Sequence, residues 1–536
     1  MMIKLSSVGS LFAILFTITT ISCTQPKPKR VINFPETNLV EENLIPKPLE
    51  IISTNDGFAL DKYTAIYTSK DVEGFEEVGN FLADKIKSKT GIELPVNIDT
   101  ITTIETVINI RKSDTLDQNL PEAYQLHIAQ DTITLHSSTA TGAFRGIQTL
   151  RQIIPEISND TLTKNKVWVI PTGKIIDSPQ FEYRGAMLDV ARHFFAVEDV
   201  KKYIDVLSYY KFNVLHLHLT DDQGWRIEIK SWPKLTEIGG STEVGGKSGG
   251  FYTQEEYTDI VNYAAARHIL IIPEIDMPGH TNAASVSYPF LNGNGKTPKL
   301  YKGTRVGFST FDTKKDTVYA FIDDVIREVA AITPGPYFHI GGDESLVTKK
   351  EDYIYFVNKV EKIVQKYGKR MIGWDEVANA DISSSSISQH WRGKKNTQVA
   401  VSKGMKIIMS PAEKAYLDMK YDSLSKYGLD WVGHIPTDTA YIWTPESYVP
   451  LKSIMGIEAP LWSETISDID ELEYLAFPRA IGYAEIGWTA KENRNWEDYK
   501  VRLANQGPFL ERMNVKYYSS PLIDWKTNQG MQKIKK

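Results

Sequence analysis

The chain has 536 residues, of which 42% are hydrophobic and 24% charged, with a formal net charge of −6. That length exceeds one ordinary core and implies two domains or a large barrel with a smaller companion. The negative balance argues against nucleic acid as a partner, and a single cysteine excludes a disulfide within the chain.

The N-terminus opens with a positive charge at Lys4 and an apolar run over 8–21, broken only by small or hydroxylated residues. The run is short for a membrane span and fits a signal peptide over 1–22. It ends at Ser22-Cys23, and Cys23 is the sole cysteine. Thr20-Ile21-Ser22-Cys23 resembles a bacterial lipobox, although Thr20 departs from the usual aliphatic residue. The expectation is an exported protein held to a bacterial membrane, periplasmic or at the cell surface, by a lipid on Cys23. The plainer reading is a chance cysteine near an ordinary cleavage site. Residues 23–48 are rich in Pro, Lys and Glu and read as a tether.

Residues 49–177 mix strand and helix signals and predict a small α+β domain. Strands are expected at 63–67 and 107–110, and a helix at 75–88. Alternation over 124–128 and 133–136, around Gln130-Asp131, predicts a hairpin. Residues 140–154 predict a helix with Phe144, Ile147, Leu150 and Ile154 on one side. Nothing in this region groups acids, bases or metal ligands. The stretch from Pro171 to Pro179 reads as a boundary.

From 178 to 536, strand and helix signals alternate. Strands are expected at 183–190, 213–219, 269–275, 337–340, 370–373, 386–390, 406–409 and 454–461. Helices are expected between them, including 198–210 and 254–267, the latter opened by Thr253 and Glu256 at capping-box spacing. The order predicts a (β/α)8 barrel with a C-terminal extension.

Active sites of such barrels lie at the C-terminal ends of the strands. There the sequence reads LDVARH (188–193), TDDQGWR (220–226), EIDMPGH (274–280), DE (343–344), WDE (374–376), HWR (390–392), Tyr416-Leu-Asp418 and LWSE (461–464). A polar pocket walled by Trp374, Trp391, Trp431 and Trp462 fits a carbohydrate, with indole faces for C–H surfaces and carboxylates and Arg for hydroxyls. Asp343 and Glu344 are adjacent in HIGGDES (339–345). Strand alternation sends neighbours to opposite faces, so the pair does not suit acid and nucleophile acting on one carbon.

The stretches RGAMLDVARHFF, LHLHLTDDQGWRIEI, PEIDMPGH, HIGGDE, GWDE and LWSE resemble the glycoside hydrolase family 20 β-N-acetylhexosaminidases. The resemblance runs from Glu50 to about Trp488 and includes STATGAFRGIQTL in the small domain. It implies exo-acting release of terminal β-linked N-acetylglucosamine or N-acetylgalactosamine, with no cofactor and no metal. Glu344 then looks like the general acid and Asp343 like the group that steadies charge on the substrate's acetamide, whose oxygen is the nucleophile. Tyr416 looks like the donor to that oxygen. Arg192 looks like the ligand of the 3- and 4-hydroxyls, Glu464 of the 4- and 6-hydroxyls, and Asp418 of the 6-hydroxyl. Asp221 and His280 look like supporting groups, Trp374, Trp391 and Trp462 like the walls, and Trp431 like a wall nearer the leaving group. None of these positions departs from the family pattern.

Two other readings stay open on the residues alone. His216 and His218 share a strand face near Asp221, Asp276 and His280, as a metal-dependent barrel hydrolase would have them. A surface glycan-binding lipoprotein with an inactive barrel is the second. Arg226 fits a buried ion pair as well as a ligand group, Trp232 reads as packing, and Glu376 and Glu485 carry no assigned role.

Overall fold

Alternating apolar residues in the first third of the chain assemble one mixed sheet. A computed structural model describes residue 32 and residues 34–98, 105–156, 166–293 and 298–527. The apolar run over 8–21 and Cys23 lie outside the described residues. The sheet strands are β1 Glu50–Leu60, β2 Thr64–Thr68, β3 Val96–Ile98, β4 Thr106–Lys112, β5 Tyr124–Ile128, β6 Thr132–Ser137 and β7 Trp168–Asp177, in the order β1-β7-β5-β6-β4-β2-β3. β5 and β6 form the expected antiparallel hairpin, with Tyr124 opposite Ser137. The helices Phe75–Thr90 and Ala140–Ile153 cover the sheet, burying Val78, Leu82, Phe144 and Leu150 against Ile108, Leu126 and Leu135.

β1 and β7 escape the alternation pattern for a local reason. The polar run Ser53 to Asp56 interrupts β1, and its register with β7 shifts between Ser53 and Gly57. The boundary expected over 171–179 falls where β7 ends, at Asp177, and Pro171 stands before it. Pro171 lies inside β7 opposite Gly57, next to this irregularity, where a missing backbone donor is tolerated. The expected tether needs correction at its C-terminal end. Leu39, Leu44 and Ile45 are buried, and the Ile45 and Lys47 amides donate to the side chains of Gln152 and Glu485. Three apolar residues within a polar stretch suffice to dock it.

The barrel strands are β8 Tyr183–Asp189, β9 Val214–His218, β10 Leu270–Glu274, β11 Tyr337–His339, β12 Arg370–Trp374, β13 Ile387–His390, β14 Lys406–Met409 and β15 Ile454–Leu461, closed in that order. Every neighbouring pair is parallel. Each expected strand matches to within one residue at either end, because strands buried on both faces read as short apolar runs between helices. Thr253 and Glu256 cap the helix Gln254–Ala265 reciprocally. No helix among the described residues is long and apolar enough to cross a membrane.

Two residues of uncertain role are structural. Glu485 takes both guanidinium nitrogens of Arg502, at 2.6 and 2.7 Å, and the Tyr441 hydroxyl at 2.7 Å. Arg226 has no ion-pair partner among the described residues; its guanidinium donates to the backbone carbonyls of Ala191, Gly240, Thr242 and Gly250. Trp232 packs edge-on against Phe321 and Tyr288, as expected.

The two domains are joined by buried charge. Glu122 accepts from Arg145 at 2.6 Å and from Arg184 at 2.5 Å, and Lys211 lies 2.9 Å from Asp177. Burial alone would raise the Glu122 carboxyl, but the two guanidiniums bring it down to about 2. Glu122→Ala is expected to cost about 3–5 kcal/mol, because it strands two buried cations. A carboxyl lowered on folding contributes stability above its ordinary value, and that contribution is lost as pH falls from 4.5 toward about 2. Urea unfolding against pH checks both: the variant should lack this acid segment of the profile.

Candidate active site

The loop that follows β11 sets the site's geometry. β11 ends at His339, so Asp343 and Glu344 lie beyond the strand and its alternation does not separate them. The loop instead takes left-handed backbone at Gly341 (φ 66°), Gly342 (φ 97°) and Glu344 (φ 43°). The glycines admit a neighbouring carboxylate of the protein itself. A Cβ on Gly341 would stand 1.8 Å from Asp276 Oδ1, and that oxygen accepts from the Gly342 amide at 3.0 Å. Burial and the nearby Asp343 hold the Asp276 carboxyl well above the usual carboxylate range.

Behind the pair runs a buried chain of alternating charge. Asp221 Oδ2 takes Arg192 Nη2 at 2.7 Å and His218 Nε2 at 3.0 Å, while Oδ1 takes His280 Nδ1 at 3.1 Å. Burial opposes ionisation here, yet Arg192 and His280 hold Asp221 well below the usual range. The other nitrogen of His280 lies 3.6 Å from Asp343 and 3.8 Å from Glu344. Against the penalty of burial, Asp221, Asp343 and Asp276 raise His280 well above an ordinary imidazole. Asp189 completes the Arg192 seat, 3.3 Å from its Nη1, and accepts the Arg192 amide.

The histidines read above as candidate metal ligands belong to this chain. His218 Nδ1 meets Glu274 at 2.6 Å, and His216 lies between Glu458 at 2.9 Å and Glu274 at 3.0 Å. Burial works against charge on both, but the carboxylates dominate: His216 rises to about 9, and His218 is held well above an ordinary imidazole. His218, Asp221 and Asp276 do offer atoms within 4.8 Å of one another. An imidazolium with a carboxylate at each nitrogen, as His218 is, has no lone pair for a metal, so the His218, Asp221 and Asp276 set does not fit one.

In front of the pair opens a cavity of about 310 Å³ whose lining includes Arg192, Asp343, Glu344, Trp391, Tyr416, Asp418, Trp431, Trp462 and Glu464. Asp221, His280 and Trp374 are not among its lining residues. Trp374 is buried behind it, donating to Glu274 at 2.9 Å, with its ring 5.7 Å from that of Trp462. Trp391 and Tyr416 lie nearly parallel, 11° apart, and Trp431 closes that side edge-on with 47% of its surface exposed. Burial and Asp343 keep the Tyr416 phenol well above its ordinary range, so it remains a donor. Burial and Asp343 also raise the Glu344 carboxyl, against His280, Arg392 and Arg192. Both oxygens of Asp418 and Oε2 of Glu464 have no side-chain hydrogen-bond partner among the described residues. Buried polar atoms of that kind suit a ligand dense in hydroxyls.

Residue-by-residue reading overlooked three supports. Asp189, Asp276 and Glu376 touch Arg192, the Gly342 amide and the Trp391 indole respectively, the last at 3.1 Å. Asp189 and Asp276 stand within quoted motifs, yet their roles depend on loop geometry that spacing does not encode. Burial, Asp375 and Asp343 push Glu376 up to about 8.

Indole faces beside buried carboxylates suit a pyranose, and a raised carboxyl next to them suits cleavage of its glycosidic bond; fold and cavity together define a barrel glycoside hydrolase. Residues 181–491 match the glycosyl hydrolase family 20 catalytic domain, and residues 41–178 match domain 2 of the same family. A β-N-acetylhexosaminidase of Cellulomonas fimi is 38% identical over 490 residues, covering 90% of this chain and 97% of that protein. The family 20 β-N-acetylhexosaminidase of Streptomyces coelicolor A3(2) superposes with a TM-score of 0.86 at 42% identity, covering 92% of this chain and 100% of that one. An N-acetyl-β-hexosaminidase of Streptomyces plicatus, solved with Thio-NAglucal, gives 0.85 at 43% identity over 92% of this chain and 99% of that one. The chain belongs to glycosyl hydrolase family 20.

The crowding at Gly341 has a measurable consequence. Gly341→Ala is expected to displace Asp276 and the loop that carries Asp343 and Glu344, cutting kcat by about 10²-fold or more, as misplacements near 1 Å do. Gly368 has φ 72° but no atom within 4 Å of an added Cβ. Gly368→Ala should therefore cost only about 1 kcal/mol and leave kcat unchanged. Equal loss of activity in both variants would mean that left-handed backbone, and not the Asp276 contact, is the constraint.

Proposed function

We infer that the protein is an exo-acting, retaining β-N-acetylhexosaminidase that removes terminal non-reducing β-linked N-acetylglucosamine or N-acetylgalactosamine. Glu344 is the general acid: it protonates the glycosidic oxygen and later takes a proton from the incoming water. The substrate's acetamide oxygen attacks the anomeric carbon and forms an oxazolinium. Asp343 steadies the positive charge on the acetamide nitrogen, and Tyr416 donates to the acetamide oxygen. Water opens the ring from the face that the leaving group vacated, and two inversions return the β configuration.

The observation that carries this reading is that Asp343 and Glu344 sit on one loop and share one imidazole, His280. Acid and nucleophile of a two-carboxylate mechanism flank the bond from separate positions. The raised Glu344 carboxyl supports its role as a proton donor near neutral pH. Arg192 binds the 3- and 4-hydroxyls and Glu464 the 4- and 6-hydroxyls, and Asp418 takes the 6-hydroxyl; the Asp418 and Glu464 oxygens without a side-chain partner among the described residues support this. Asp221 and His280 position Arg192 and the pair. Trp391 and Trp462 wall the sugar, Trp374 backs Trp462, and Trp431 faces the leaving group. An inactive binding barrel has no use for a raised acid beside a buried phenol and is not favoured.

The test is a series of substrates with acetyl, fluoroacetyl, difluoroacetyl and trifluoroacetyl on the 2-amino group. Each fluorine draws electrons from the attacking oxygen, so the rate should fall steeply along the series, and Asp343→Asn should depress it further. A flat series, with a glycosyl-sized mass gain after a 2-fluoro glycoside, would make a protein carboxylate the nucleophile.

We further propose that the protein is exported and held to a bacterial membrane by a lipid on Cys23. The apolar run before it and its uniqueness support this. Wild type is expected in the detergent-extracted membrane fraction and Cys23→Ser in the soluble fraction; equal release of both would exclude the anchor.

A further inference from the structure

The cleft changes sign along its depth. Its floor carries the carboxylates Asp343, Glu344, Asp418 and Glu464. Its lip carries a cation. Arg392 lines the same cavity, is exposed, and holds its guanidinium 4.3 Å from the centre of the Trp391 ring. Arg392 has no carboxylate partner among the described residues. Asp430, beside Trp431, is opposed by Lys420 at 3.7 Å.

Position along the cleft gives this cation a meaning. The acid must face the leaving oxygen, so Glu344 marks the leaving-group side. Arg392 is near enough to Glu344 to act on its charge, and Trp431 stands exposed on the same wall. The residue that docks there is the penultimate sugar of the glycan. Trp431 offers a face for its C–H surface. A guanidinium held over an indole is pre-oriented, and its planar fork matches carboxylate and sulfate oxygens.

We propose that the leaving-group side of this cleft selects glycans whose penultimate residue bears an anion, a uronate carboxylate or a sulfate ester, paired with Arg392. This rests on the hexosaminidase reading above and adds to it the chemical class of the leaving group.

The experiment compares three disaccharides with N-acetylglucosamine β-linked through the same hydroxyl to glucose, to glucuronic acid and to glucose 6-sulfate. They differ only at C6 of the leaving sugar. At least one acidic substrate should exceed the neutral one in kcat/KM by about tenfold at low salt, the size of one hydrogen bond to a charged group. The excess should shrink as salt is added. Which acid is preferred identifies the natural anion. Arg392→Gln should bring the acidic-to-neutral ratio close to one, and Arg392→Lys should restore part of it. An arginine that only tuned Glu344 would shift the pH profile of all three substrates alike and leave the ratio untouched; that result overturns the proposal. So does cleavage of all three by wild type without preference, which leaves the hexosaminidase reading standing. Failure on all three, with p-nitrophenyl N-acetyl-β-glucosaminide also uncleaved, overturns that reading and this one with it.

Discussion

Asp221 is the joint on which the active end of the barrel depends. Its two oxygens gather Arg192, His218 and His280, which come from or follow three adjacent strands. Each partner carries charge onward: Arg192 to the cavity, His218 to Glu274, His280 to Asp343 and Glu344. Ionising so many groups away from water is costly in isolation, and removing one partner of a buried pair typically costs about 3–5 kcal/mol. Alternation of sign makes the set self-consistent. Asp221 and Glu274 are held ionised by the guanidinium and imidazoliums around them, and His218 and His280 are held charged by carboxylates. The arrangement is therefore preorganised, with little reorganisation left for the moment of reaction.

The same principle separates two chemically similar neighbours. Asp343 and Glu344 share a loop and an imidazole, yet Glu344 is the more exposed side chain, at 20% against 11%. Glu344 bears the upward push of Asp343 as well as burial. Identity of residue type thus does not decide role; position relative to His280, Tyr416 and the cavity does. Gly341 and Gly342 make those positions reachable by letting Asp276 brace the loop from behind.

Much of this was legible in the sequence, for physical reasons. Barrel strands are apolar runs with polar residues at one end, so the strands and the cavity residues Arg192, Asp343, Glu344, Tyr416, Asp418, Trp462 and Glu464 could be read together. What escaped was what depends on backbone path. Alternation was applied to Asp343 and Glu344 past the end of β11, where it has no force. β1 and β7 were missed because a bulge and Pro171 break the pattern at the point where the two strands meet. Arg226 gave no hint of its carbonyl partners, since backbone acceptors carry no side-chain signature. The docked segment around Ile45 was hidden by its polar composition, although three apolar residues were enough to anchor it.

The small domain holds the far end of the same three strands. Glu122 accepts from Arg184, at the start of β8, and from Asn213, just before β9. Its partner Arg145 donates to the carbonyl of His268, shortly before β10. At their other ends these strands lead to Arg192, Asp221 and His280. One buried carboxylate thus gathers the entry ends of β8, β9 and β10, and another gathers their exits. Parallel strands pinned at both ends cannot slide past one another without breaking a charged contact. The separation of stability at one barrel face from chemistry at the other is here a division of labour between Glu122 and Asp221. It also gives the small domain a part in the barrel: it supplies Glu122 and Arg145 at the barrel's base.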